Sequence, residues 1–165
     1  MKIKTLGLFL LMAALLITPV AYAQDGVSSA SVATDEDSLM NALSPDGKWI
    51  VIIQQDLTTD KELVLEGEFN NRGETVREIA LYTSDENHNI QERYTLEAPR
   101  LTIMSPNSIL AAGTFVGDVY VQSNNFTLTD GFTVEGNIYF ENEEAKSTFK
   151  IENGGTVTGN LMMAE

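Results

Sequence analysis

The sequence contains no cysteine, one histidine, four prolines, and ten basic residues against 24 acidic ones. Without cysteine there is no disulfide framework, no thiolate nucleophile and no cysteine-based metal site. A lipid anchor on a cysteine is excluded for the same reason. The formal charge of −14 argues against a nucleic-acid partner, because phosphates demand a basic surface. The single histidine, His88, stands in a polar stretch without a recognisable partner nucleophile, so it reads as a surface residue. What is present is 43% hydrophobic residues in a chain of 165. That suffices for one domain with a buried core.

Residues 1–23 have the three parts of a secretory signal peptide. These are Lys2 and Lys4, an apolar run from Leu6 to about Ile17, and Ala21-Tyr22-Ala23 as the cleavage site. The run is shorter than the roughly 20 apolar residues of a membrane-spanning helix. An uncleaved anchor is the alternative. Cleavage after Ala23 is expected to leave 142 residues at −16, without a membrane anchor and exported to the exterior, the cell surface or the periplasm. Such a charge keeps copies mutually repelled at low salt.

Residues 24–36 are small and polar and read as a flexible lead-in. Acidic residues then precede Leu39, Met40 and Leu43, which lie at helical spacing, and this predicts a short capping helix over 37–43. From Trp49 to residue 165 the texture is β-rich, and it repeats. Phe115-x-Gly117-Asp118-Val119-x-Val121 is echoed by Val134-x-Gly136-Asn137-Ile138-x-Phe140, and again by Val157-x-Gly159-Asn160-Leu161-x-Met163. An apolar-x-apolar run precedes each: Leu101-x-Ile103, Phe126-x-Leu128 and Phe149-x-Ile151. Weaker copies lie upstream at Ile79-x-Leu81 with Tyr94-x-Leu96, and at Ile50-x-Ile52 with Leu65-x-Gly67. The copies start at residues 50, 79, 101, 126 and 149.

Steps of 20–30 residues without a helix between strands predict an all-β parallel solenoid of about five coils, spanning 37–165 with its capping helix. An antiparallel sandwich is the rival, but it leaves the aligned glycine column unexplained. Equivalent residues would stack about 4.8 Å apart. The inward columns would be Ile52/Leu81/Ile103/Leu128/Ile151 and Val119/Ile138/Leu161. Gly117, Gly136 and Gly159 would form a tight corner, with Asp118, Asn137 and Asn160 as a polar turn ladder and Ser105, Asp130 and Asn153 as another.

The helix, Trp49-Ile50-Val51-Ile52-Ile53 and Lys61-Glu62-Leu63-Val64-Leu65-Glu66-Gly67 together resemble the start of right-handed parallel β-helices of the pectate-lyase-like superfamily. The resemblance is one of texture over residues 35–165. It implies a fold, and it licenses no activity by itself. For the enzymes of that superfamily it would imply acidic residues holding calcium and a basic residue acting as base. Arg77 and Arg100, 23 residues apart, are the basic candidates, but no aspartate cluster accompanies them.

No catalytic residue is assigned. Glu141-Asn142-Glu143-Glu144 and Asp85-Glu86-Asn87-His88 read as solvated turns, where weak surface calcium is the one cofactor to consider. Asn125-Phe126-Thr127 matches a glycosylation acceptor but opens a strand. Tyr120 and Tyr139 share one outward position, and such a pair can stack on sugar rings. Leu161, Met162 and Met163 would form an uncapped terminal strand open to a second copy. The expected function is thus a secreted, non-enzymatic structural protein forming homo-oligomers or filaments. The alternatives are a carbohydrate-binding module for an extracellular polysaccharide, or a small calcium-dependent polysaccharide lyase.

Overall fold

About half of residues 30–165 lie in short strands, most of them paired in parallel, accompanied by two short helices. The structure, a computed structural model, describes those residues. The expected signal peptide and residues 24–29 of the lead-in lie outside them. The chain begins with β1 (Ala30–Ala33), α1 (Glu36–Leu43), β2 (Ile50–Ile53), β3 (Leu57–Thr58) and β4 (Leu63–Leu65). A hairpin of β5 (Asn70–Asn71) and β6 (Glu74–Thr75) leads to β7 (Arg77–Ala80). A second hairpin, β8 (Tyr82–Ser84) and β9 (Ile90–Arg93), leads to β10 (Thr95–Ile103), β11 (Ser108–Ala111) and β12 (Thr114–Val121). Then follow β13 (Thr127–Thr129), β14 (Thr133–Glu135), β15 (Ile138–Phe140), α2 (Glu143–Ser147), β16 (Lys150–Ile151), β17 (Thr156–Val157) and β18 (Leu161–Met163).

One sheet runs β1-β2-β7-β11-β13-β16. The other runs β3-β10-β12-β14-β17, with β4 also on β10, β15 on β12 and β18 on β15. Each sheet grows in one direction along the sequence, every new strand adding beside the previous one. Antiparallel pairing occurs only inside the two hairpins among the described residues.

Alternation of side chains across the strands explains this register. In the first sheet, Val51, Ile79, Leu110, Leu128 and Ile151 fall in one column. In the second, Leu63, Leu101, Val119, Ile138 and Leu161 form one column, and Leu65, Ile103, Val121, Phe140 and Met163 another. Leu57, Leu96, Phe115, Val134 and Val157 make a third. All but the last member of these columns, and Leu57, are buried in a single core.

Three sequence expectations are corrected here. In β2 the inward residues are Val51 and Ile53, so Ile52 faces outward instead of heading a core column. Ile103 belongs to the second sheet, so it does not share a column with Leu128. Its place is taken by Leu110 of β11. Leu65 stacks with Ile103 and Val121, which leaves Gly67 outside the glycine column. The lead-in also contains β1, whose backbone pairs residue by residue with β2.

Helix α1 is set by Asp35, whose carboxylate accepts from the Ser38 amide at 2.8 Å and from its hydroxyl at 2.6 Å. The Ser38 hydroxyl oxygen in turn accepts from the Asp35 amide at 3.0 Å, closing a reciprocal cap. Leu39, Ala42 and Leu43 are buried, covering the end of the core beside β1 and β4. Helix α2 stands where the sequence suggests a solvated turn. Asn142 caps it through Ala145 at 2.9 Å, and the buried Ala145 anchors it.

Candidate association surface and outward tyrosine column

At the far end of both sheets, β16, β17 and β18 present their outer edges, with no further strand beside them among the described residues. Ile151 is 46% exposed although its column neighbour Leu128 is fully buried, and Leu161 is 45% exposed beside the fully buried Ile138. Val157 and Met163 occupy the corresponding inward positions of β17 and β18 and are only partly buried. Met162 differs. Its register partner is Tyr139, so it faces outward with the tyrosines. Of the three residues expected at an edge contact, Leu161 and Met163 continue core columns and Met162 flanks the outer surface.

The outward column of the second sheet contains Thr102, Tyr120, Tyr139 and Met162. The rings of Tyr120 and Tyr139 stack with centroids 4.5 Å apart and planes 19° from parallel. The Arg100 guanidinium carbon lies 3.8 Å from the centroid of the Tyr120 ring, a cation–π contact. Arg100 also pairs with Glu62 at 3.7 Å. Ring stacking follows the direction in which strands stack, so the rings face one another along the sheet. Tyr120 is therefore covered by Tyr139 on one face and by Arg100. A hollow of about 520 Å³ opens beside Arg100, both tyrosines, Met162, Met163 and Glu165.

The corner between the two halves of the second sheet is a close approach of backbones. A Cβ on Gly136 would lie 2.0 Å from the Gly117 carbonyl oxygen, and one on Gly159 would lie 2.3 Å from that of Gly136. Beside it the Asp118 carboxylate accepts from the Asn137 amide at 2.9 Å, and the Asn137 side chain accepts from the Asn160 amide at 3.0 Å. The six residues of the expected turn ladder are thus together. Of the other expected ladder, Asn153 reaches Asp130 at 3.4 Å. Ser105 stands apart, buried with Ser108 and Ser123, whose hydroxyls donate to its carbonyl at 2.6 and 2.7 Å.

Arg77 and Arg100 do not meet. Arg77 points into the core of the first sheet, fully buried. Its guanidinium donates to the carbonyls of Ala42 at 2.7 Å, Ser44 at 3.1 Å and Lys48, and it lies 4.1 Å from the Phe69 ring centroid. Burial lowers its pKa to about 10, leaving it cationic near neutrality. A cation held by carbonyls at the negative end of α1 supports that helix. No sequence signal marked this role, because a lone arginine in a strand carries no spacing rule.

The acidic clusters also have local structural roles. Asp85 accepts from the amides of Asn87 and Asn89, both at 2.9 Å, across the β8–β9 hairpin loop. Its hydrogen bonds from Asn89 hold the carboxyl below its usual range. His88 lies in the same loop in a left-handed conformation, φ 64°. Glu143 and Glu144 form the first turn of α2. Among the described residues, no three His, Asp or Glu side chains converge as metal ligands. The Asn125 side-chain amide, in the matched glycosylation sequence, donates to Asn107 at 2.9 Å. No known protein family matches the chain, and neither a curated protein nor a solved structure is found to be similar to it.

Proposed function

We propose that the chain is a secreted right-handed parallel β-helix of about five coils, a non-enzymatic structural component outside the cell that self-associates through its last layer. The reading is supported by two sheets that grow in one direction, by core columns running across successive strands, and by a helix covering only the first end. The observation that carries it is the exposure of Ile151 and Leu161 in columns whose preceding apolar members, from Val51 and Leu63 onward, are all buried. The contact surface is the whole end layer: Ile151, Val157, Leu161 and Met163. Covering Ile151 and Leu161, each about half exposed, is worth roughly 1 kcal/mol apiece, and the more buried Val157 and Met163 add less.

Sedimentation equilibrium on the chain beginning at Gln24 tests this. Dimers or longer assemblies are expected at moderate salt, with filaments visible by electron microscopy if both ends take part. Leu161→Asp and Ile151→Asp should yield monomers with an unchanged far-ultraviolet dichroism spectrum. A strict monomer at high concentration and moderate salt removes the reading.

The hollow beside Tyr139 favours a second reading, a carbohydrate-binding module. The Tyr139 face turned away from Tyr120, toward Met162, is the one a sugar ring would meet, so Tyr139→Ala should abolish glycan-array binding. Tyr120→Ala should weaken it indirectly by releasing Tyr139. Absence of any glycan signal for the parent protein removes this alternative.

A further inference from the structure

Strand β16 and the residue that follows it carry a charge pattern that complements itself when reversed: Lys150-Ile151-Glu152. The Lys150 amide donates to the Phe126 carbonyl and the Glu152 amide to the Leu128 carbonyl, both at 2.9 Å. In a parallel ladder these two residues turn their backbone groups inward to the neighbouring strand, so the N–H and C=O of Ile151 point to the open edge. Its side chain continues the core column, while Lys150, in register with Thr127, faces outward. The two ion pairs among the described residues, Lys61–Glu36 and Arg100–Glu62, involve neither Lys150 nor Glu152.

We infer that two copies meet end layer to end layer, β16 against β16 in antiparallel pairing about a two-fold axis at Ile151, with Lys150 of each copy opposite Glu152 of the other. The inference rests on the self-association proposed above and specifies its geometry. In an antiparallel pair, a residue on the axis exchanges N–H and C=O with its own copy, which is what the free edge of Ile151 offers. Residues one step to either side then face each other across the strands on the same sheet face. Here those are a lysine and a glutamate, twice. The alternative head-to-tail stacking sets β16 beside β1 of the next copy. That strand, Ala30-Ser31-Val32-Ala33, carries no charge for Lys150 or Glu152 to meet. Helix α1 also covers the core end adjoining β1.

Charge variants separate this geometry from simple repulsion between acidic chains. Lys150→Glu makes each copy more negative and Glu152→Lys makes it less so. If only net charge mattered, the first would weaken the dimer and the second would strengthen it. The two-fold pairing requires both to weaken it, by about tenfold in Kd for two lost pairs. The double variant Lys150→Glu/Glu152→Lys should restore parental affinity. An equimolar mixture of the two single variants should form heterodimers in preference to either homodimer. Sedimentation equilibrium and native mass spectrometry of the mixture read these outcomes. A dimer abolished by Leu161→Asp yet indifferent to the charge changes would overturn the β16 pairing and leave self-association standing. A monomeric parent protein would overturn both.

Discussion

The guanidinium of Arg77 donates to the carbonyl oxygen of Ala42 at 2.7 Å, tying β7 to the C-terminal end of α1 across 35 residues of sequence. The same group satisfies the carbonyls of Ser44 and Lys48. Replacing it with methionine keeps the length of the side chain but leaves these acceptors without their donor. A buried polar network broken from one side costs about 3 kcal/mol. Arg77→Met should therefore lower unfolding free energy by about that amount in a urea titration, and amide exchange should rise first in α1. Arg77→Lys should fall between the two, because one ammonium cannot span three carbonyls as a planar guanidinium does.

The glycine corner gives a second expectation. Gly136 does not have a left-handed backbone, so its lack of a side chain is required only by the Gly117 carbonyl beneath it. Gly136→Ala forces two strands apart and should cost about 3 kcal/mol, at the upper end of overpacking penalties. Gly73, in the β5–β6 turn, has open space around a notional Cβ and φ of +92°. Gly73→Ala should cost only about 1 kcal/mol, from backbone strain alone. Equal losses at the two sites, measured by thermal unfolding, would show that stacking does not govern the corner.

The contrast between the two halves of the repeat shows what the sequence made legible. From Phe115 onward, the apolar-x-Gly-Asp/Asn-apolar-x-apolar pattern coincides residue by residue with the observed pairing. No residue is inserted within the pattern in these copies, and the glycine column marks each corner. Upstream, the equivalent run is Leu96-Glu97-Ala98-Pro99-Arg100-Leu101-Thr102-Ile103. It holds one extra residue, absorbed as a register shift between Glu97 and Arg100, and Ala98 stands where later copies have glycine. With that copy hidden, Leu101-x-Ile103 resembles Phe126-x-Leu128 although they lie in different sheets. Strand β11 was hidden too, because its inward Ser108 is polar and is satisfied only by the carbonyl of Ser105 in the folded chain. The tyrosine pair was visible as two equivalent outward positions. That its faces are mostly covered depends on Arg100, which reaches across from the neighbouring strand.

Glu78 is a titration probe for the outer face of the first sheet. Its register neighbours are Ile50 and Ile109, and burial raises its pKa above the ordinary value of 4.5, with Asp130 adding to the shift. A carboxyl whose folded pKa is raised contributes stability that is fully present below its unfolded pKa. That contribution is lost as pH rises through the folded pKa. Glu78→Gln removes the loss, so the variant should be more stable than the parent near pH 7, with the difference closing as pH falls toward 4. Melting curves across this range test it, with exposed Glu74→Gln as a control for overall charge. A pH-independent difference at Glu78 would show that the carboxyl ionises as freely as one in water.

Salt should act on association in the direction set by net charge. A copy cleaved after Ala23 would carry −16, whereas the proposed contact contributes only two lysine–glutamate pairs. Raising ionic strength from about 0.01 M to about 0.15 M shortens the Debye length from about 30 Å to about 8 Å. Repulsion between whole chains acts over the longer range and is screened strongly. The short pairs at β16 lose less, and the apolar contacts of Ile151, Val157, Leu161 and Met163 lose nothing. Dimerisation should therefore tighten with added sodium chloride over this interval. In the Lys150→Glu/Glu152→Lys double variant the same slope is expected, since its net charge is unchanged. Affinity that falls with salt would mean that ion pairs, not apolar closure of the end layer, dominate the contact.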